Sequence, residues 1–123
     1  MNIENFREYC LRKPGTTETF PFDNDTLVFK VMGKIYALSG LGSWEQGEPR
    51  INLKCDPDEA LELREEYPQS IFPGYHMNKK LWNTVVLNGE ISPKQFQKFI
   101  DNSYDLIVSG LTKKLKEELK TLH

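Results

Sequence analysis

Residues 73–85 read P-G-Y-H-M-N-K-K-L-W-N-T-V and carry a histidine, two lysines, two asparagines, a tyrosine and a tryptophan. That is more hydrogen-bonding and stacking capacity than a plain strand uses. Asn78 and Asn83 can each donate and accept, and Lys79 and Lys80 can meet an anion. Tyr75 and Trp82 offer flat faces against which a planar group can stack. Each type also has an ordinary structural use. Trp82 reads first as a core anchor, and asparagine commonly satisfies backbone groups where a chain turns. His76 can equally be a hydrogen-bonded structural histidine. The residues alone leave binding and scaffolding both open for this segment.

Other chemistries are poorly supplied. Nucleophilic catalysis needs Ser, Cys or Thr beside a base, with a third group orienting that base. The only histidines are His76 and His123, and His123 is the last residue, so a triad would have to be built on His76. Nothing near Cys10 or Cys55 marks either as activated. Asp23-Asn24-Asp25 opens like a calcium loop, but the sixth position is Val28 where the turn needs glycine. The twelfth is Lys34, where a bidentate glutamate should close the shell. Gly40 and Gly42 lack both the third glycine of a dinucleotide motif and the Gly-Lys-Ser/Thr of a phosphate loop. No enzyme, no metal and no cofactor is the expectation.

The 123 residues suit one domain with one core, spanning 1–123. An apolar share of 38% beside 28% charged residues reads as globular, not disordered. Cys10 and Cys55 are too few and too far apart for a disulfide framework or a Cys-x-x-Cys motif, and read as reduced and buried. The absence of a secretory leader and of any run of about 18 apolar residues leads us to expect a cytoplasmic protein with no membrane partner. With 16 basic and 18 acidic residues the net charge is -2. Nucleic-acid binding then requires the basic residues to gather on one face, because phosphate contacts by Lys and Arg drive it.

The elements that must position these groups follow from periodicity and capping. Asn2 caps a helix with Ile3, Phe6, Tyr9 and Cys10 on one side, ended by Pro14-Gly15. Residues 16–25 read as a polar stretch. Residues 26–32 alternate as a strand and pair through Gly33 with residues 35–39 as a hairpin. Residues 40–49 read as a flexible, glycine-bearing loop. Strand 50–54 buries Ile51 and Leu53 and points Arg50, Asn52 and Lys54 away. Asp56-Pro57-Asp58-Glu59 starts a helix that Pro68 stops. Residues 82–87 form a strand closed by Asn88-Gly89. Ser92-Pro93 opens a long helix with Phe96, Phe99, Ile100, Ser103 or Tyr104, and Ile107 inward; Gly110 precedes a last amphipathic segment. Hairpin connections make this an α+β domain, with an antiparallel sheet of about five strands packed against helices.

Taken together, several segments resemble the MmcQ/YjbR family of small bacterial proteins. They are the opening helix ending near Lys13-Pro14-Gly15, the hairpin Phe29-Lys30-Val31-Met32-Gly33-Lys34-Ile35-Tyr36-Ala37-Leu38, the strand reaching Leu53-Lys54, Tyr75-His76-Met77-Asn78-Lys79, Trp82-Asn83-Thr84-Val85, and Ser103-Tyr104-Asp105-Leu106-Ile107. The resemblance implies a frataxin-like α+β architecture with a double-wing motif, and DNA as a partner. The family carries a second histidine just before the tryptophan; here that position is Leu81. Chemistry needing two histidines is weakened accordingly. The leading expectation is a non-enzymatic, monomeric DNA-binding module using Lys30, Lys34, Arg50, Lys54, Lys79 and Lys80 on a sheet or hairpin surface. The alternative is a module for a small ligand or protein, bound at Tyr75, His76, Asn78, Trp82 and Asn83.

Overall fold

Asn2 caps the first helix: its Oδ1 accepts the Asn5 N–H at 2.8 Å, and α1 runs Ile3–Leu11. The same local chemistry starts the other long helices in this computed structural model, which describes residues 1–122. Asp56 accepts from Asp58 and Glu59 at the head of α3 (Pro57–Glu66), and Ser92 accepts from Gln95 at the head of α4 (Pro93–Ser109). Thr112 does so for α5 (Lys113–Lys120). Each such cap stabilises its helix by about 1 kcal/mol because it satisfies an amide that has no intrahelical partner. His123 lies outside the described residues.

The sheet is antiparallel and packed against helices as expected, and among the described residues it has six strands. They are β1 (Thr16–Thr19), β2 (Thr26–Val31), β3 (Lys34–Gly40), β4 (Arg50–Lys54), β5 (Ile71–Pro73) and β6 (Trp82–Val86). Their order is β1-β2-β3-β4-β6-β5, with every neighbouring pair antiparallel. The two edge strands, β1 and β5, are the ones that periodicity did not delimit. β1 lies in the stretch read as polar, and β5 is three residues long. Residues 40–49 are also more ordered than a flexible loop, because α2 (Leu41–Glu45) forms there. Its Trp44 stacks on Phe6 with ring centroids 5.4 Å apart and donates its Nε1–H to Ser39 Oγ at 2.8 Å.

Helices α1, α3 and α4 cover one face of the sheet. Phe6 meets Phe29 edge to face at 5.4 Å and lies 5.9 Å from Phe96. Ala37, Ile51, Leu53, Ile71 and Val85 complete this core from the strands, with Ile100 from α4. Burying each large apolar side chain contributes roughly 1.5–3 kcal/mol. A register shift between Phe29 and Lys30 leaves Tyr36 as the extra residue on β3. A bulge of this kind re-aims a side chain, and Tyr36 turns under the helices, donating its hydroxyl to Cys10 O at 3.2 Å. Ser103 then fastens α4 to the sheet: its Oγ donates to Tyr36 O at 2.6 Å and accepts the Lys54 N–H at 2.9 Å. Of the alternatives Ser103 and Tyr104, Ser103 is the buried one. Cys10 and Cys55 are free and buried. Among the described residues no helix is long and apolar enough to cross a membrane.

Candidate nucleic-acid interface

The second face of the sheet carries no helix-side core residue. Strand partners in an antiparallel sheet share a face, so the pairs Thr19–Val28, Val28–Leu38, Leu38–Asn52, Asn52–Thr84 and Thr84–Phe72 trace one row across all six strands. Two residues along each strand, the same face presents Lys30 beside Ile35 on one side and Lys54 beside Trp82 on the other. Val28, Leu38, Trp82 and Val86 are buried on this face, outside the helix-side cluster.

Segment 74–81 leaves β5, doubles back and enters β6. Gly74 is required at the start. A Cβ there would meet Trp82 Cβ at 2.7 Å and the Trp82 carbonyl oxygen at 2.9 Å, inside any normal contact. That close approach lets the Gly74 N–H donate to Trp82 O at 2.9 Å. Tyr75 is then pinned by both backbone groups. Its N–H donates to Thr84 Oγ1 at 3.0 Å, and its carbonyl accepts from Asn52 Nδ2 at 3.2 Å. Thr84 donates in turn to Asn52 Oδ1, closing a polar ring across β4 and β6. His76 adopts a left-handed backbone with φ +59°.

The polar groups that sequence singled out divide sharply. Asn83 is buried, and both ends of its amide are engaged: Oδ1 accepts from Arg64 Nε at 2.8 Å and Nδ2 donates to Ala60 O at 3.4 Å. Asn78 shapes the turn, its Oδ1 accepting the Lys80 N–H and its carbonyl accepting from Leu81 and Trp82. Trp82 is buried, as a core anchor would be. Tyr75 and His76 face outward, with Tyr75 69% exposed and its ring centroid 3.9 Å from that of His76. Arg64, which sequence reasoning did not single out, organises the segment. Besides Asn83, its guanidinium donates to the carbonyls of Lys79 and Trp82. The signal was an amide, Asn83, next to Trp82 in a short strand, which needs a partner if it is buried.

Five of the six basic candidates gather at one end of the sheet. Lys34 opens β3 at the hairpin, Lys30 is one residue from the end of β2, and Lys54 closes β4. Lys79 and Lys80 stand in the turn just before β6, whose first residue pairs with Lys54. Lys30 and Lys54 lie two strands apart, about 10 Å. Lys34, Lys79 and Lys80 are exposed, and Lys30 and Lys54 half-buried. Among the described residues none of the five has a carboxylate within 4.0 Å. Lys79 Nζ donates to Gly74 O at 3.3 Å. Arg50 stands apart: it opens β4 at the opposite end, 3.8 Å from Glu48.

The thiols are held protonated. Burial pushes Cys10 up to about 12 and Cys55, beside Glu59 and Asp56, up to about 11. Reactive cysteines need the opposite, a lowered pKa in an electropositive setting. Among the described residues there is no group of three His, Cys, Asp or Glu side chains placed to hold a metal ion. Asp23, the start of the apparent calcium loop, instead accepts the N–H groups of Asp25 and Thr26, which hold its carboxyl below the usual range.

The arrangement is an α+β fold whose antiparallel sheet has one face under helices; Lys30 and Lys54 lie on the other face, and Lys34, partner of the buried Val31, lies on the helix side at the same end. Residues 11–106 match the YjbR family model, and the chain belongs to that family. It is 40% identical over 117 residues to the uncharacterised protein YbdF of Escherichia coli O157:H7, spanning 95% of this chain and 93% of that one. To the uncharacterised protein YjbR of Escherichia coli strain K12 it is 29% identical over 122 residues, spanning 99% and 100%. Among solved structures it resembles Deinococcus radiodurans protein DR2400, a DUF419 domain, with TM-score 0.87, 42% identity, and coverage of 97% of this chain and 88% of that one. A crystal structure of a Pseudomonas syringae protein gives TM-score 0.72 at 32% identity, covering 86% and 98%.

Proposed function

We propose that this protein is a non-catalytic binding module that engages nucleic acid through the end of the sheet bearing Lys30, Lys34, Lys54, Lys79 and Lys80. The observation that carries the reading is the gathering of these five lysines at one end of the sheet, none with a carboxylate within 4.0 Å among the described residues, on a molecule whose net charge is -2. Phosphates are what such a cluster attracts, and releasing their counterions drives sequence-independent affinity. The protonated thiols of Cys10 and Cys55 support a binding role over nucleophilic chemistry. A pocket for a small ligand around Tyr75 and Trp82 is favoured less, because Trp82 is buried, both ends of the Asn83 amide are engaged, and the Asn78 Oδ1 is taken up by the turn.

Fluorescence anisotropy with a labelled duplex of about 20 base pairs, titrated across salt, tests the reading. If all five lysines reach phosphates, log K falls with log salt at a slope of about -4.5, so affinity drops roughly 500-fold between 50 and 200 mM. No binding of duplex or single strand at about 50 mM, where such contacts are strongest, overturns it.

A further inference from the structure

We infer that Tyr75 and His76 form a stacking platform for an unpaired base, so that the nucleic acid bound at the lysine end is single-stranded. The inference rests on the nucleic-acid reading above and specifies the class of ligand for the same surface. Its first support is exposure combined with rigidity. Tyr75 is 69% exposed, yet both of its backbone polar groups are tied to the Asn52–Thr84 pair in the middle of the sheet. A ring presented on an immobilised backbone has lost less freedom on binding than one on a loose loop.

The second support is the backbone of His76. Its φ of +59° is a conformation that side-chain-bearing residues avoid, and it occurs within a turn closed by the Met77 N–H on Gly74 O at 3.2 Å. Glycine would adopt it without strain. Histidine there places its ring 3.9 Å from the Tyr75 ring, with the planes tilted by 51°. His76 is itself exposed, so burial does not account for the pairing.

The third support is the surroundings. Lys79 and Lys80 follow in the same segment, and Lys54 lies two residues along β4 from Asn52, about 7 Å away. Aromatic faces flanked by cations suit a base with its neighbouring phosphates. In a duplex the faces of the bases are stacked on one another, so a tyrosine ring gains access only where a base is unpaired.

The test compares a labelled oligothymidylate of about 12 nucleotides with a duplex of equal length at about 50 mM salt, by anisotropy. Wild type is expected to bind the single strand more tightly. Tyr75→Ala is expected to lose about five- to 100-fold on the single strand and little on the duplex, while Tyr75→Phe, which keeps the ring, retains affinity. His76→Gly keeps the left-handed backbone and removes the imidazole, and is expected to lose a smaller part. Thermal unfolding by circular dichroism confirms that each variant is folded. Preference for the duplex, or a Tyr75→Ala variant equal to wild type on the single strand, overturns this inference and leaves the nucleic-acid reading standing. Binding of neither oligonucleotide overturns both.

Discussion

The two ends of the sheet treat charge in opposite ways. At one end Lys30, Lys34, Lys54, Lys79 and Lys80 stand without carboxylate partners among the described residues. At the other, acidic side chains are engaged with the fold itself. Asp23 holds the β1–β2 loop through the amides of Asp25 and Thr26, and Asp25 accepts from the Gly42 N–H. Glu90 accepts from Ser70, and Glu48 lies beside Arg50. The segregation is of pairing and not of sign: Asp56, Asp58 and Glu59 follow Lys54 at the start of α3, yet the five lysines stay without a carboxylate partner among the described residues. Binding at such an end is steered by the local field, and the total of -2 is a poor guide to it.

The comparison breaks most readily at Arg64. This residue joins α3 to the segment that carries Lys79 and Lys80, through Asn83 and two backbone carbonyls. Arg64→Ala leaves the buried Asn83 Oδ1 without its donor, and an orphaned buried acceptor costs as much as the bond itself. The expected loss is about 2–4 kcal/mol, read from the midpoint of urea unfolding. Arg64→Lys recovers only part, because a single ammonium cannot reproduce the planar fork that reaches several oxygens at once. A loss below about 0.5 kcal/mol, the usual size for a surface change, would mean that the lysine end does not depend on this anchor.

Arg64 also marks the limit of what the sequence discloses. Caps at Asn2, Asp56 and Ser92 were legible because the acceptor and the amide it serves lie within three residues. Alternation likewise disclosed that Arg50, Asn52 and Lys54 share a face of β4. β1 escaped because Thr-Thr-Glu-Thr has no apolar alternation, its strand character coming from pairing with β2. β5 escaped because three residues give no period to read. In the site, the outward lysines were legible, but the role of Asn83 was not. Its partner Arg64 is 19 residues away on another element, and only the packing of α3 against β6 brings them together. Nor could alternation say that Arg50 and Lys54, on one strand face, belong to opposite electrostatic environments.

That last distinction gives a sharper experiment. Lys54→Gln and Lys80→Gln should each lower the salt slope of nucleic-acid binding by about 1 and weaken affinity about three- to tenfold at low salt, uniformly across sequences. Arg50→Gln removes the same formal charge from the same sheet face, but at the opposite end beside Glu48. Its expected effect is below about twofold. Anisotropy across a salt series separates the three variants. Equal losses for Arg50→Gln and Lys54→Gln would show that total charge governs binding, and the contrast between the ends would lose its meaning.

The smallest expected effect concerns a cation already held in the helix layer. Arg7 on α1 forms an ion pair with Glu18 on β1, a residue whose strand partner is Phe29 on the helix-covered side. The hydrogen bond from Arg7 holds the Glu18 carboxyl below its usual range. A depressed folded-state value means that the pair's stabilisation is fully present above the unfolded glutamate pKa and is lost as pH falls through the folded one. The Arg7 side chain is 41% exposed, so water screens the pair and Glu18→Gln should cost less than about 1 kcal/mol at neutral pH. Unfolding curves of wild type and Glu18→Gln should then converge only as pH falls through the lowered Glu18 value, where the wild-type glutamate also becomes neutral. The same substitution raises the net charge by one and frees a guanidinium, yet on the wrong side of the sheet. Nucleic-acid affinity should therefore stay within about twofold of wild type. A larger gain would place the binding surface on the helix layer, and the lysine end would no longer be the electrostatic footprint.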